Sequence, residues 1–275
     1  MGLMRGTVRR VGRFVHKAFS DAGSVEVAEQ NGVRSLHLGN ATIQSAMRVS
    51  APYDLELAYS RGMMAFLLFN PAPQGIVVIG LGGGSLPKFM RHYMTGVHVT
   101  VVEINPQVVA VARNQFYLQD DDEYLQVVVG DGTEYVRTHK AVCDVLMADA
   151  FDSGGTAPEL CSQDYYDACA ATLVYSGIFV ANLWGSDRNF DTYMQRIERA
   201  FDGRVLMMPT GKPGNIIVFG FSREPGDMRW KILRDRARAL QLRYHIDFLE
   251  FVERLRDNNP NSANRCWFFR KQGTK

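Results

Sequence analysis

The spacing of hydrophobic and polar residues changes period along this chain, and each change marks a boundary. From Ser24 to Gly39 apolar and polar positions alternate on both sides of Asn31-Gly32. A period of two belongs to a half-buried strand, and Asn-Gly supplies the two positive φ angles of a type I′ turn, so a β-hairpin is expected here. A helix is expected from about Asp54 to Phe69, ahead of Pro71-Ala72-Pro73. Apolar runs then recur at 76–80, 98–104, 125–130, 144–149 and 178–183, with amphipathic stretches between most of them. That rhythm predicts a doubly wound parallel sheet covered by helices. Between Gln163 and Leu173, for instance, Tyr166, Cys169, Ala170 and Leu173 fall on one helical face. Segments 204–208 and 215–221 flank the turn-rich stretch from Pro209 to Gly214 and predict a closing antiparallel hairpin. From Met228 to about Asp257 a stripe running from Trp230 through Leu240 to Leu255 predicts one or two packed helices.

The start of the chain has its own character. Leu3, Val8, Val11, Phe14, Val15 and Phe19 could share a helix face, and Arg5, Arg9, Arg10, Arg13 and Lys17 precede the first acid, Asp21. Such a segment suits targeting, a membrane surface or a partner, and equally a mobile arm or a helix packed on its own domain. The expected organisation is therefore a basic arm at 1–22, a small β-hairpin domain at 23–52 and one large α/β domain at 53–275.

Composition narrows the function more than the fold. With 31 Lys+Arg against 29 Asp+Glu the net charge is +2, so no global field draws the chain to nucleic acid or lipid. No run of 18 apolar residues exists to span a bilayer. The four cysteines form no C-x-x-C pair, which fits a reducing, cytoplasmic setting. The six histidines are scattered without ligand spacing, so no metal site is expected.

The chemistry gathers where apolar strands end. Val77-Val78-Ile79 runs into Gly80-Leu81-Gly82-Gly83-Gly84-Ser85, a loop whose glycines let backbone approach a ligand closely. Alone it fits a dinucleotide, another nucleoside or a purely structural turn, although Ser85 stands where the dinucleotide fingerprint wants its third glycine. Glu103 ends the next strand, 23 residues after Gly80, and is placed to accept hydrogen bonds from two ribose hydroxyls unless it is a plain surface acid. Asp131, between Gly130 and Gly132, could accept from an exocyclic purine amine or simply serve the turn. Asp149 and Asp152 leave the fourth strand at the same edge. Two carboxylates crowded there raise at least one proton affinity toward the range of a general base and would welcome a cationic substrate, unless Asp152 only caps the following turn.

Taken in order, several segments resemble the spermidine synthases, the polyamine aminopropyltransferases, over roughly residues 35 to 220. They are Leu36-x-Leu38-Gly39 with Gln44, Ile79-Gly80-x-Gly82-x-Gly84, Val102-Glu103-Ile104-Asn105, Gly130-Asp131-Gly132, Asp149-x-x-Asp152, Ala157-Pro158-Glu159-Leu160, Tyr165-Tyr166 and Gly177-Ile178-Phe179-Val180-Ala181. The resemblance implies a Rossmann-like sheet of the S-adenosylmethionine-dependent methyltransferase type. It implies transfer of an aminopropyl group from decarboxylated S-adenosylmethionine to a polyamine such as putrescine, with methylthioadenosine as the second product and no metal. Gln44 and Glu103 would then contact the ribose and Asp131 the adenine, with Gly80, Gly82, Gly84 and Gly132 around the nucleoside. Asp149 would be the base, and Asp152, Tyr166 and Tyr59 would hold the polyamine. A cytoplasmic homodimer is implied as well.

Three positions depart from the family pattern. Gly83 stands where an acid that binds the aminopropyl amine is usual, Ser60 follows Tyr59 in place of histidine, and Asn182 replaces glutamine. Gly83 would tolerate carboxylated S-adenosylmethionine. A methyltransferase or other group transferase on the same fold, or a non-catalytic adenosyl-ligand binder, therefore stands as the alternative.

Overall fold

The computed structural model describes residues 13–20, 23–39, 42–150, 158–211 and 214–268. An antiparallel sheet comes first: β1 (Arg13–Ser20), β2 (Gly23–Gln30), β3 (Val33–Leu38) and β4 (Ser45–Arg48) lie in chain order. The β2–β3 turn is the hairpin expected at Asn31-Gly32, both residues having positive φ (52° and 73°). Arg13–Ser20 is a strand rather than part of a helix, because it finds a ladder to join: Arg13 pairs with Glu29 and Ser20 with Gly23. The rest of the proposed helix face, before Arg13, lies outside the described residues.

The helix expected from Asp54 is shorter at its start and changes character. It comprises α1 (Ala58–Met63) followed by a 3-10 turn, Met64–Leu68, every residue of which is buried. Strands and helices then alternate: β5 (Gly75–Ile79), α2 (Ser85–Tyr93), β6 (His98–Glu103), α3 (Pro106–Phe116), β7 (Leu125–Val129), α4 (Gly132–Thr138), β8 (Cys143–Ala148), α5 (Gln163–Thr172), β9 (Leu173–Trp184) and α6 (Phe190–Ala200). The closing hairpin is β10 (Val205–Pro209) and β11 (Asn215–Phe221), and the tail is α7 (Trp230–Tyr244) and α8 (Phe248–Asn258).

These strands make one seven-stranded sheet in the order β10-β11-β9-β8-β5-β6-β7. β7 through β9 run parallel, while β11 and β10 are antiparallel additions. Successive side chains of a strand face opposite ways, so Ile76 and Val78 enter one core while Val77 and Ile79 enter the other. The first core also holds residues of α2, α3, α7 and α8 together with Val25, Val27, Leu36 and Met47 of the small sheet. The second is packed by α4, α5 and α6. Burial on both faces explains why β5, β6, β8 and β9 read as apolar runs, while β7, at the sheet edge, leaves Val128 and Val129 exposed.

Strand order reverses between β5 and β8, and a crevice opens outside the carboxyl ends of strands at such a switch point. Gly80 and Asp149 are the residues that follow those two strands, and the Asp149 N–H donates to the Ile79 carbonyl at 2.9 Å. All four cysteines are free and buried, and among the described residues no helix is long and apolar enough to cross a membrane.

Candidate active site

A cavity of about 330 Å³ fills that crevice, within the size range of small-ligand sites. The α/β unit forms its floor and the small antiparallel sheet its wall, through Ser24, Val25, Leu38, Gln44 and Ser45. Gln44, Tyr59, Gly80, Gly82, Glu103, Asp131, Gly132 and Asp149 all line it, so eight residues expected from sequence come together. Gly84 does not. It sits behind the loop at the start of α2 with φ 70°, turning the chain into the helix. Asp152 lies outside the described residues.

Tyr166 occupies a neighbouring position. It is buried in α5, edge-on to Phe179, and lines a cavity of about 10 Å³ together with Tyr165, Asn182 and Leu183. Ala150 and Leu160 line both spaces, so the two adjoin.

Two of the site's glycines are required by close approach. Gly80 has φ 94°, and a Cβ there would stand 2.5 Å from the Asp149 carbonyl oxygen. Gly132 opens α4 directly against β5, where a Cβ would collide with the Ile79 side chain. Gly83 is closed in differently: its N–H donates to Ser45 Oγ at 2.9 Å, and a side chain would press on Phe116 and Ser45.

Two of the three strand-end acids, Glu103 and Asp131, are held by backbone N–H groups, and Asp149 by a side-chain amide. Glu103 accepts from the Leu81 N–H at 2.9 Å and the Asn105 N–H at 2.8 Å, which fixes its carboxylate across the glycine loop. Burial raises its proton affinity, and the backbone donors at Asn105, Leu81 and Ile104 pull it back. Asp131 serves two ends at once. One carboxylate oxygen caps α4, accepting from the Thr133 N–H at 2.7 Å and the Thr133 hydroxyl at 2.8 Å, while the exposed residue also lines the cavity. The turn role and the cavity role are therefore compatible.

Asp149 is the most perturbed of the three. Burial pushes its carboxyl up to about 7, against hydrogen bonds from Asn182 and Tyr59 that favour the ionised form. The Asn182 Nδ2 donates to Asp149 Oδ1 at 2.8 Å. The Tyr59 hydroxyl donates to the Gln44 carbonyl at 2.8 Å, and its own ionisation is strongly opposed by burial and then by the nearby Asp149 charge. A half-buried acid with a near-neutral proton affinity is poised as a general base.

Ser24, Ser45, Glu159, Asn105 and Thr133 also line the cavity, and sequence reasoning did not single them out as site residues. Ser24 and Ser45 come from strands of another sheet and carry no motif. Glu159 was visible in Pro158-Glu159-Leu160, whose 3-10 turn (Pro158–Cys161) is tied to α6 by Arg196 donating to the Cys161 carbonyl at 2.6 Å. With Glu159 the lining holds four carboxylates, of Glu103, Asp131, Asp149 and Glu159, and no lysine, arginine or histidine among the described residues.

Comparisons with known proteins point the same way. Residues 56–219 match the model of the spermine/spermidine synthase domain. The polyamine aminopropyltransferase of Chromobacterium violaceum is 39% identical over 251 residues, 91% of this chain and 96% of that one. A probable spermidine synthase from Corynebacterium glutamicum superposes with a TM-score of 0.70 at 18% identity, covering 85% of this chain and 88% of that chain. A spermidine synthase solved in complex with the transition-state analogue AdoDATO gives a TM-score of 0.61 at 21% identity with the same coverage.

Proposed function

The chain belongs to the spermine/spermidine synthase family, and from that premise we propose that it is a transferase moving an aminopropyl group from decarboxylated S-adenosylmethionine to an amine such as putrescine, with Asp149 as the base. The observation that carries the reading is a cavity at the sheet's switch point walled, among the described residues, by four acids and no cation. Such a field gathers a sulfonium donor and a polyammonium acceptor, and repels anions.

The adenosyl half of the donor is assigned to the strand ends: ribose to Glu103 and Gln44, adenine to Asp131, with Gly80, Gly82 and Gly132 keeping the floor open and Gly84 setting the turn behind them. The reaction forms a bond from the amine nitrogen to the aminopropyl carbon as the carbon–sulfur bond breaks. The bonding pair goes to sulfur, which departs as a neutral thioether and needs no acid. The amine's surplus proton goes to the Asp149 carboxylate, and proximity in the cavity supplies much of the rate. Tyr59, Tyr166 and Asp152 are assigned to the acceptor side. Family membership further implies a cytoplasmic homodimer with no nucleic-acid partner.

Calorimetric titration with decarboxylated S-adenosylmethionine, S-adenosylmethionine and methylthioadenosine tests the donor assignment. Tighter binding of the decarboxylated donor, with spermidine formed on adding putrescine, is expected. Preference for the carboxylated donor with no spermidine would contradict it.

A further inference from the structure

Asn182 sits in an unusual place for an amide. It lies in β9 one residue past Ala181, which pairs with Ala148 of β8, so the next residues along the two parallel strands, Asn182 and Asp149, leave the ladder together. Its neighbours Ala181 and Leu183 are core residues, and Asn182 itself is 4% exposed. Its Oδ1 is buried without a hydrogen-bond partner among the described residues. A buried unpaired carbonyl is destabilising, and a side chain of equal size such as leucine would avoid it. What the amide contributes is its other end, donating to Asp149 Oδ1 at 2.8 Å.

Tyr59 does not supply the same service continuously. A phenol has one hydrogen, and that of Tyr59 is directed at the Gln44 carbonyl. It reaches Asp149 only by leaving Gln44, whereas the Asn182 amide carries no competing acceptor on its donated hydrogen.

We propose that Asn182 is a positioning residue of the transfer reaction: its Nδ2–H group fixes one oxygen of the Asp149 carboxylate and favours its charged form. This rests on the reading of Asp149 as base. An amide donor stabilises a carboxylate more than a carboxylic acid, and the direction of the Asn182 effect on Asp149 agrees. The amide thus widens the pH range over which the base works while lying outside the lining of the main cavity.

The test is the pH dependence of kcat/KM for putrescine in the wild type and in Asn182→Leu, Asn182→Ala and Asn182→Gln, with unfolding temperatures measured alongside. Ionisation of the amine is common to all four and cancels in the comparison. Removing the donor should move the acidic limb upward by about one to two pH units. Activity should recover at high pH, and affinity for methylthioadenosine should stay within about threefold of wild type, as expected when only the proton acceptor is altered. Asn182→Gln, which restores a donor, should keep the limb within about half a pH unit of wild type. A limb that stays put while the rate falls evenly at every pH would overturn the proposal and leave Asn182 a packing residue. If Leu does not fold, Ala carries the comparison. Wild-type protein releasing no methylthioadenosine with putrescine, or Asp149→Asn retaining full rate, would be a different failure: it removes the base assignment itself, and this role with it.

Discussion

As the proposed base, Asp149 would tie the chemistry of this protein to its stability. Its carboxyl ionises near an ordinary 3.8 when unfolded and at about 7 when folded, so between those values the folded chain holds a proton that the unfolded chain has lost. Stability from this group therefore falls as pH rises from about 4 to about 7 and stays lowered above that. Asp149→Asn should abolish turnover, and at pH 8 it should raise unfolding stability by about 1–4 kcal/mol, with little change near pH 4. Thermal melts at the two pH values check it, and equal shifts at both would argue against the buried charge. Gly80→Ala is the complementary prediction. Its Cβ would push the Asp149 backbone carbonyl away, so turnover should fall by about 100-fold or more, as for other misplacements near an ångström. Glu103, Asp131 and Asp149 were legible in sequence because each ends an apolar run. Asn182 was legible only as a departure from a pattern, since its contact with Asp149 depends on strand order. Gly83 was read as a missing acid, and the structure adds that Phe116 and Ser45 close in on the position.

Elements were legible where one physical cause dominated. Four of the parallel strands, β5, β6, β8 and β9, are packed on both faces and read as apolar runs, whereas edge strand β7 reads as one although Val128 and Val129 are exposed; the Asn31-Gly32 hairpin follows from turn chemistry alone. The first segment was ambiguous because basic and apolar residues at mixed spacing serve either helix or strand, and pairing with β2 decided Arg13–Ser20. The wall contributed by β4 had no local signal, yet it matters. Ser45 Oγ accepts the buried Gly83 N–H, and Ser45→Ala leaves that donor unpaired. A loss of about 1–3 kcal/mol in stability is expected, read by denaturant unfolding, together with weaker donor binding in calorimetry. Unchanged values for both would mean the small sheet merely abuts the glycine loop.

At the scale of the whole molecule the net charge of +2 hides a local concentration of acid in the cavity. Local field rather than total charge governs capture of a polycation, and salt screens it. KM for putrescine should therefore rise several-fold between about 0.03 and 0.3 M salt, while affinity for uncharged methylthioadenosine changes little. Steady-state kinetics at the two ionic strengths, beside methylthioadenosine titrations, separate the two. A parallel loss in both would point to a salt effect on the fold.

The most direct measurement is a product assay with decarboxylated S-adenosylmethionine and putrescine, following spermidine and methylthioadenosine together. Equal amounts of the two from the wild-type chain, and neither from a folded Asp149→Asn variant that still binds the donor, is the result expected. Methylthioadenosine without spermidine, or undiminished turnover by that variant, would contradict aminopropyl transfer driven by this aspartate.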